Sequence, residues 1–166
     1  ALIVVDYLTL HTSVELLKKK NDIKFKLLHV VVTIGIHKLP YQCTMHFDGD
    51  PSNTPAANAV CNLGIATHPT IPYRANSNRA ELAIQHITKA AKKMLLQAHL
   101  GPRYLGLAMK YAAYIDQYIC HEARSNKSPY QMLYGKTPDI KHLKMFGTLA
   151  AVHKSAVKQK NTTLNT

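Results

Sequence analysis

Acidic residues are scarce in this 166-residue chain: nine Asp and Glu stand against 21 Lys and Arg, giving a formal net charge of +12 and a pI near 9.7. A balance that basic favours polyanions, most often nucleic acid and sometimes an anionic membrane surface. The plainer alternative is a basic solvated surface with no specific partner. Cysteine is scarce too. Cys43, Cys61 and Cys120 are odd in number, widely spaced and form no CxxC pair, which excludes a disulfide framework and a cysteine zinc site. That usage suits a reducing intracellular compartment. No apolar run reaches the length of a membrane span, and the N-terminus lacks the basic-then-apolar order of a signal peptide. No initiator Met is present, as expected of a cleaved product or a fragment. Ten histidines are scattered without an HxxxH or HExxH pair, so they read as surface or core residues rather than as a metal site.

What is present is a globular composition, 46% hydrophobic and 18% charged, in a length that buries one core. The run Ala1 to Val5 (ALIVV) predicts a buried strand, and Thr12 to Leu17 a second one. Asp22 is placed to cap a helix reaching about Val32, with Ile23, Leu27 and Val30 or Val31 on one face. Gln42 to Phe47 predicts a short strand closed by the turn Asp48-Gly49-Asp50-Pro51-Ser52-Asn53. Pro55 to Leu63 reads as a small helix stopped by Gly64, and Ile65 to Thr67 as an edge strand. From Ala80 onward the pattern is mostly helical: a long helix to about His99, another from Tyr104 to about Cys120, and a short one starting at Pro129. Thr148 to His153 is a possible last strand. The basic tail 154–166 is expected to be disordered, leaving residues 1–153 as one mixed α/β domain without internal repeats.

The helix from Glu81 to Ala98 separates into faces. Ile84, Ile87, Ala91, Met94, Leu95 and Ala98 share an apolar face expected to pack on the sheet. Glu81 opens the helix alone, with Lys89, Lys92 and Lys93 following one to three turns on. A first-turn acid favours the helix dipole, a sufficient reason for Glu81 by itself. The functional alternative pairs Glu81 with Asp48 at a strand end, because carboxylates brought together from such places hold Mg²⁺ with several waters. The lysines would then hold phosphates. Asp50 competes with Asp48, although the sequence Asp48-Gly49-Asp50-Pro51 also suits an ordinary exposed turn.

Five segments, in order, carry a family resemblance: VVDYLTLHTSVELLKKKND, HFDGD, LGIATHPTIPYRANSN, AELAIQHITKAAKKML and KSPYQMLYGKTPDIKHLKMFGTLAAVH. Together they resemble the integrase core of Ty1/copia-type retrotransposons, part of a Pol polyprotein, from Val4 to about His153. The last segment is the most specific, keeping Ser128, Pro129, Tyr130, Gly135, Lys136, Pro138, His142, Leu143, Phe146 and Gly147 of the group's pattern. The resemblance implies a ribonuclease-H-like fold, a mixed five-stranded sheet flanked by helices, and Mg²⁺- or Mn²⁺-dependent DNA strand transfer for DNA integration. In the family's D,D,E triad, the second Asp falls on Asp48 and the Glu on Glu81, so both are the implied catalytic and metal-binding residues. Lys89, Lys92, Lys93, Arg74 and Arg79 are the implied nucleic-acid contacts. The implied partners are element ends and target DNA, with a further copy of the chain, and the implied location is the nucleus.

Departures from the family pattern temper these implications. The first triad Asp belongs to a strand upstream of ALIVV, so the resemblance implies a core whose first strand is missing here. Asp6 matches another family acid and is not assigned to the triad. The positions of the family's Asn-Gly before the Glu are Asn78-Arg79, the Arg after it is Leu82, and the amino-terminal His/Cys zinc module has no match. Losing one metal-binding carboxylate usually costs orders of magnitude in rate, which makes this chain an inactive fragment by expectation. A missing central strand would also expose neighbouring strand edges. Two other readings remain open: a non-catalytic nucleic-acid-binding relic, and an interaction domain using Tyr104, Tyr111, Tyr114 and Tyr118 as a partner face. Core packing is the simpler use of that tyrosine stripe.

Overall fold

The computed structural model describes residues 1–36, 43–48, 50–69, 79–122 and 125–151. Strands β1 (Leu2–Val5) and β2 (Thr12–Glu15) form an antiparallel hairpin with Ile3 opposite Val14 and Val5 opposite Thr12. Asp6 closes its turn: one carboxylate oxygen accepts from Thr9 N at 2.9 Å and from Thr9 Oγ1 at 2.5 Å. The hairpin is short because β2 ends at Glu15, two residues before the expected end at Leu17.

Helix α1 (Ile23–Ile34) buries Leu27, Val30 and Val31 and ends at Gly35, whose φ of +79° suits a residue without Cβ. Asp22 stands at the N-cap of α1 as expected, but its side chain makes no cap bond there. Its carboxylate instead accepts from the amides of Lys18 (3.2 Å) and Lys19 (3.0 Å), folding the lysine run back into the single 3₁₀ turn before the helix. Strand β3 (Thr44–Phe47), helix α2 (Thr54–Cys61) and strand β4 (Ala66–Pro69) form a β-α-β crossover. The two strands are parallel, with His46 opposite His68.

Helices α3 (Arg79–Gln97), α4 (Leu105–Asp116) and α5 (Pro129–Tyr134) follow. The start of α5 is fixed by a reciprocal cap: the buried Ser128 hydroxyl accepts from Gln131 N, and Ser128 N donates to Gln131 Oε1. Its end is fixed by Gly135 at φ +68°.

Two apolar layers hold these elements. On one side of the hairpin, Ile3 and Val14 meet Ile87, Ala91 and Leu95 of α3 and Ala108, Ala112 and Ala113 of α4. The alanines let α3 and α4 approach closely, and burying a residue of the size of Ile87 or Leu95 contributes about 1.5–3 kcal/mol. On the other side, Leu2 and Val4 join Met45 and Phe47 against Leu27, Val31, Ala56 and Val60 of α1 and α2. β1 therefore contributes alternate residues to two cores, as strand periodicity requires.

Three expectations are corrected. Among the described residues the strands form two separate two-stranded sheets rather than one five-stranded sheet, although β1 and β3 share the second apolar layer. Ile84 is 44% exposed; burial on α3 begins one turn later, at Ile87, and the helix packs chiefly on α4 as well as on β1. Residues 148–151 form no strand. Thr148 is held in a turn through its amide and hydroxyl to Met145 O, and Leu149 is almost fully exposed. The tail 154–166 lies outside the described residues, and no described helix is long and apolar enough to cross a membrane.

Candidate functional site

A chain of ring and cation contacts brings the start of α3 to the ends of the strands. The Arg79 guanidinium donates to Tyr7 O at 3.0 Å and lies 5.3 Å from the centre of the Tyr7 ring. The Tyr7 ring is 6.2 Å from His46 on β3, and His46 is 6.0 Å from His68 on β4. Asp48 stands just beyond β3, and Glu81 lies in the first turn of α3, two residues after Arg79. Both acids are exposed.

The two aspartates of the turn after β3 differ in what occupies them. Asp50 Oδ1 accepts from Ser52 N at 2.8 Å, capping a 3₁₀ turn, and Oδ2 meets Lys20 Nζ at 3.3 Å. The bonds from Ser52, and then that from Lys20, hold its carboxyl below the ordinary value. Asp48 offers its backbone oxygen to Asn53 Nδ2 at 3.2 Å, while its carboxylate has no hydrogen bond or ion pair among the described residues. Asp50 therefore serves the turn, and Asp48 is the acid left available to a ligand.

The basic candidates divide as well. Lys89, Lys92 and Lys93 are exposed along α3 and make no ion pair among the described residues. Lys20, Lys26 and Lys110 are instead engaged with carboxylates. Arg74 lies outside the described residues, as do the other residues of 70–78. Among the described residues, no three His, Cys, Asp or Glu side chains gather as a set able to hold a metal ion. Two carboxylates such as those of Asp48 and Glu81 would be a donor set for one Mg²⁺ keeping most of its waters and too few for a pair of ions.

Sequence reasoning missed the Tyr7–His46–His68 file. His46 and His68 are 22 positions apart and meet only through the parallel register of β3 and β4, which no local pattern announces. The tyrosine stripe, by contrast, is largely satisfied within the chain. The Tyr111 ring packs near Phe146 and that of Tyr118 near Tyr130, while Tyr118 meets Tyr114 and His142 edge-on. Tyr111 also donates to the Lys144 carbonyl. Tyr118, just past α4, therefore secures α5, and Tyr111 and Tyr114 of α4 secure the segment after it, the use that core packing anticipates.

No family model matches the chain. Its fold is similar to that of a chain in the cryoEM structure of the simian T-cell lymphotropic virus intasome in complex with PP2A regulatory subunit B56 gamma, with a TM-score of 0.63 at 16% identity. The match covers 92% of this chain and 53% of that one, so this chain spans about half the length of its structural neighbour. At that identity the likeness is one of fold.

Proposed function

We propose that this chain is part of an integrase catalytic core of the Ty1/copia type, with a ribonuclease-H-like fold, and that it acts on DNA. The observation that carries the reading is the fold likeness to an intasome chain over 92% of the sequence. The residue-level resemblance supports it independently, since the positions matching the family's acids fall beyond β3 (Asp48) and in the first turn of α3 (Glu81).

In this reading Asp48 and Glu81 hold Mg²⁺ or Mn²⁺, which when bound supplies charge stabilisation for phosphoryl transfer. Arg79, Lys89, Lys92 and Lys93, with Arg74, hold the phosphates of element ends and target DNA. Self-association and a nuclear location follow from the family resemblance. In this reading the residues at hand bind DNA; no residue of the 166 matches the family's first triad Asp. The uncommitted lysine face of α3 favours that binding role.

The test is strand transfer of a labelled DNA end with Mg²⁺ or Mn²⁺, run on this chain and on a version extended upstream by a strand carrying the family's first Asp. Joining by the extended version alone, abolished by Asp48→Asn or Glu81→Gln, is the expected result. Failure of both versions, with DNA binding intact, would leave a non-catalytic binding protein. Failure to bind DNA at all would end the assignment.

A further inference from the structure

The open face of the β3–β4 sheet carries flat side chains in a file. Met45 and Phe47 of β3 turn into the core against α1 and α2, and strand alternation sends His46 to the opposite face, where it is exposed. His68 stands directly opposite on β4 and is exposed too. Tyr7, in the turn of the β1–β2 hairpin, extends the file and is 48% exposed, and Arg79 lies over its ring. The successive centre-to-centre distances are 5.3, 6.2 and 6.0 Å. The file thus joins three rings to one guanidinium and contains no acid.

We propose that this file is a stacking surface for the unpaired bases of a single-stranded nucleic acid. The inference rests on the reading that the chain binds nucleic acid, and it names the form of nucleic acid that this face takes. Three physical points support it. Rings on a sheet offer π-faces that any unpaired base can cover, whereas the bases of a duplex are already stacked on one another. A guanidinium at the end of the file adds both a stacking plane and a charge for the phosphate backbone. The net charge of +12 favours a polyanion as the partner.

Fluorescence anisotropy on the whole chain tests this, using a labelled oligothymidylate and a labelled blunt duplex of equal length. The double variant His46→Ala with His68→Ala removes two exposed rings and leaves the core untouched. It should weaken single-strand binding by about tenfold or more, while duplex affinity stays within about twofold. His46→Trp keeps a flat ring, so single-strand binding should persist. Because the chain has no other Trp, its indole emission should fall as the oligothymidylate is added. An unchanged single-strand affinity in the double variant, or an equal loss on both DNAs, overturns the stacking surface. So does an indole emission that ignores bound oligothymidylate. If the wild-type chain binds neither DNA, the nucleic-acid reading falls with it. If salt-sensitive duplex binding survives and the rings prove irrelevant to single strands, only the stacking surface falls.

Discussion

Tyr114 Oη and His142 Nε2 lie 2.6 Å apart, joining α4 to the segment that follows α5. Tyr118 sits edge-on to Tyr114 at 5.2 Å and to His142 at 5.7 Å, closing a cluster around the bond. Burial, and then the hydrogen bond with Tyr114, push the Tyr118 phenol well above its ordinary value, so it stays protonated. Replacing His142 by Ala removes both a hydrogen bond and ring contacts, and should cost about 1–2 kcal/mol. Amide exchange checks where that cost falls. Protection should drop at residues 140–148 and hold in α1; equal protection in both variants would mean that the cluster does not anchor this segment.

A second anchor of the same segment is Gly147. Its φ is +83°, and a Cβ built there would stand 2.5 Å from the Cβ of Ala98 at the end of α3. Gly147→Ala therefore meets conformational strain and a clash together, for an expected loss of about 2–4 kcal/mol in denaturant unfolding. Gly101→Ala is the control, because its φ is −73° and nothing lies within 4 Å of the added atom. A Gly147→Ala variant as stable as the Gly101→Ala one would show that residues 146–148 do not pack on α3.

Acid should destabilise the fold in two steps. His11 is buried, and its Nδ1 has no hydrogen-bond partner among the described residues; desolvation lowers its pKa, with Asp6 opposing. The unfolded chain therefore takes up a proton that the folded chain resists, and stability falls as pH drops below the ordinary value of 6.5. Glu15 acts lower on the scale. Burial raises its pKa, but the bonds and charges of Lys110 (3.2 Å) and Lys26 (3.3 Å) outweigh that and hold it below 4.5. Its contribution is full above 4.5 and is lost as pH falls through the lowered folded value. Urea titrations across pH should show a flatter fall between pH 7 and 5, in the range set by ordinary histidine titration, for His11→Gln. Glu15→Gln should cost about 0.5–1 kcal/mol at neutral pH, since both lysines are half-exposed. An unchanged profile in either variant would remove that residue from the account.

Elements with strong local signals were readable from sequence. The 3.6-residue spacing of Ile87, Ala91 and Leu95 gave α3, and Pro129 with Gly135 bounded α5. Short β-branched runs gave β1 and the start of β2. What eluded local reasoning depends on distant partners. Whether β1 and β3 share a sheet is decided by hydrogen bonds between remote segments, and Ile84 is exposed because neighbours, not periodicity, decide burial. At the candidate site the same division holds. Asp48 and Glu81, and the preference for Asp48 over Asp50, come from the resemblance, while the bonds from Ser52 and Lys20 that engage Asp50 are seen only in the fold.

The three lysines of α3 give the binding reading a quantitative form. Each phosphate neutralised by a lysine releases condensed counterions, so affinity falls with salt in proportion to the number of contacts. If Lys89, Lys92 and Lys93 each meet a phosphate, changing all three to Ala should flatten the plot of log affinity against log salt by about 3 for duplex DNA. Lys24, Lys136 and Lys141 are equally exposed and lie on other elements. Changing those three removes the same charge from the molecule while leaving α3 intact. A shallower slope confined to the α3 variant would locate the duplex on that helix. Equal flattening in both would mean that affinity follows net charge alone, and the lysines beyond Glu81 would then be an ordinary solvated face.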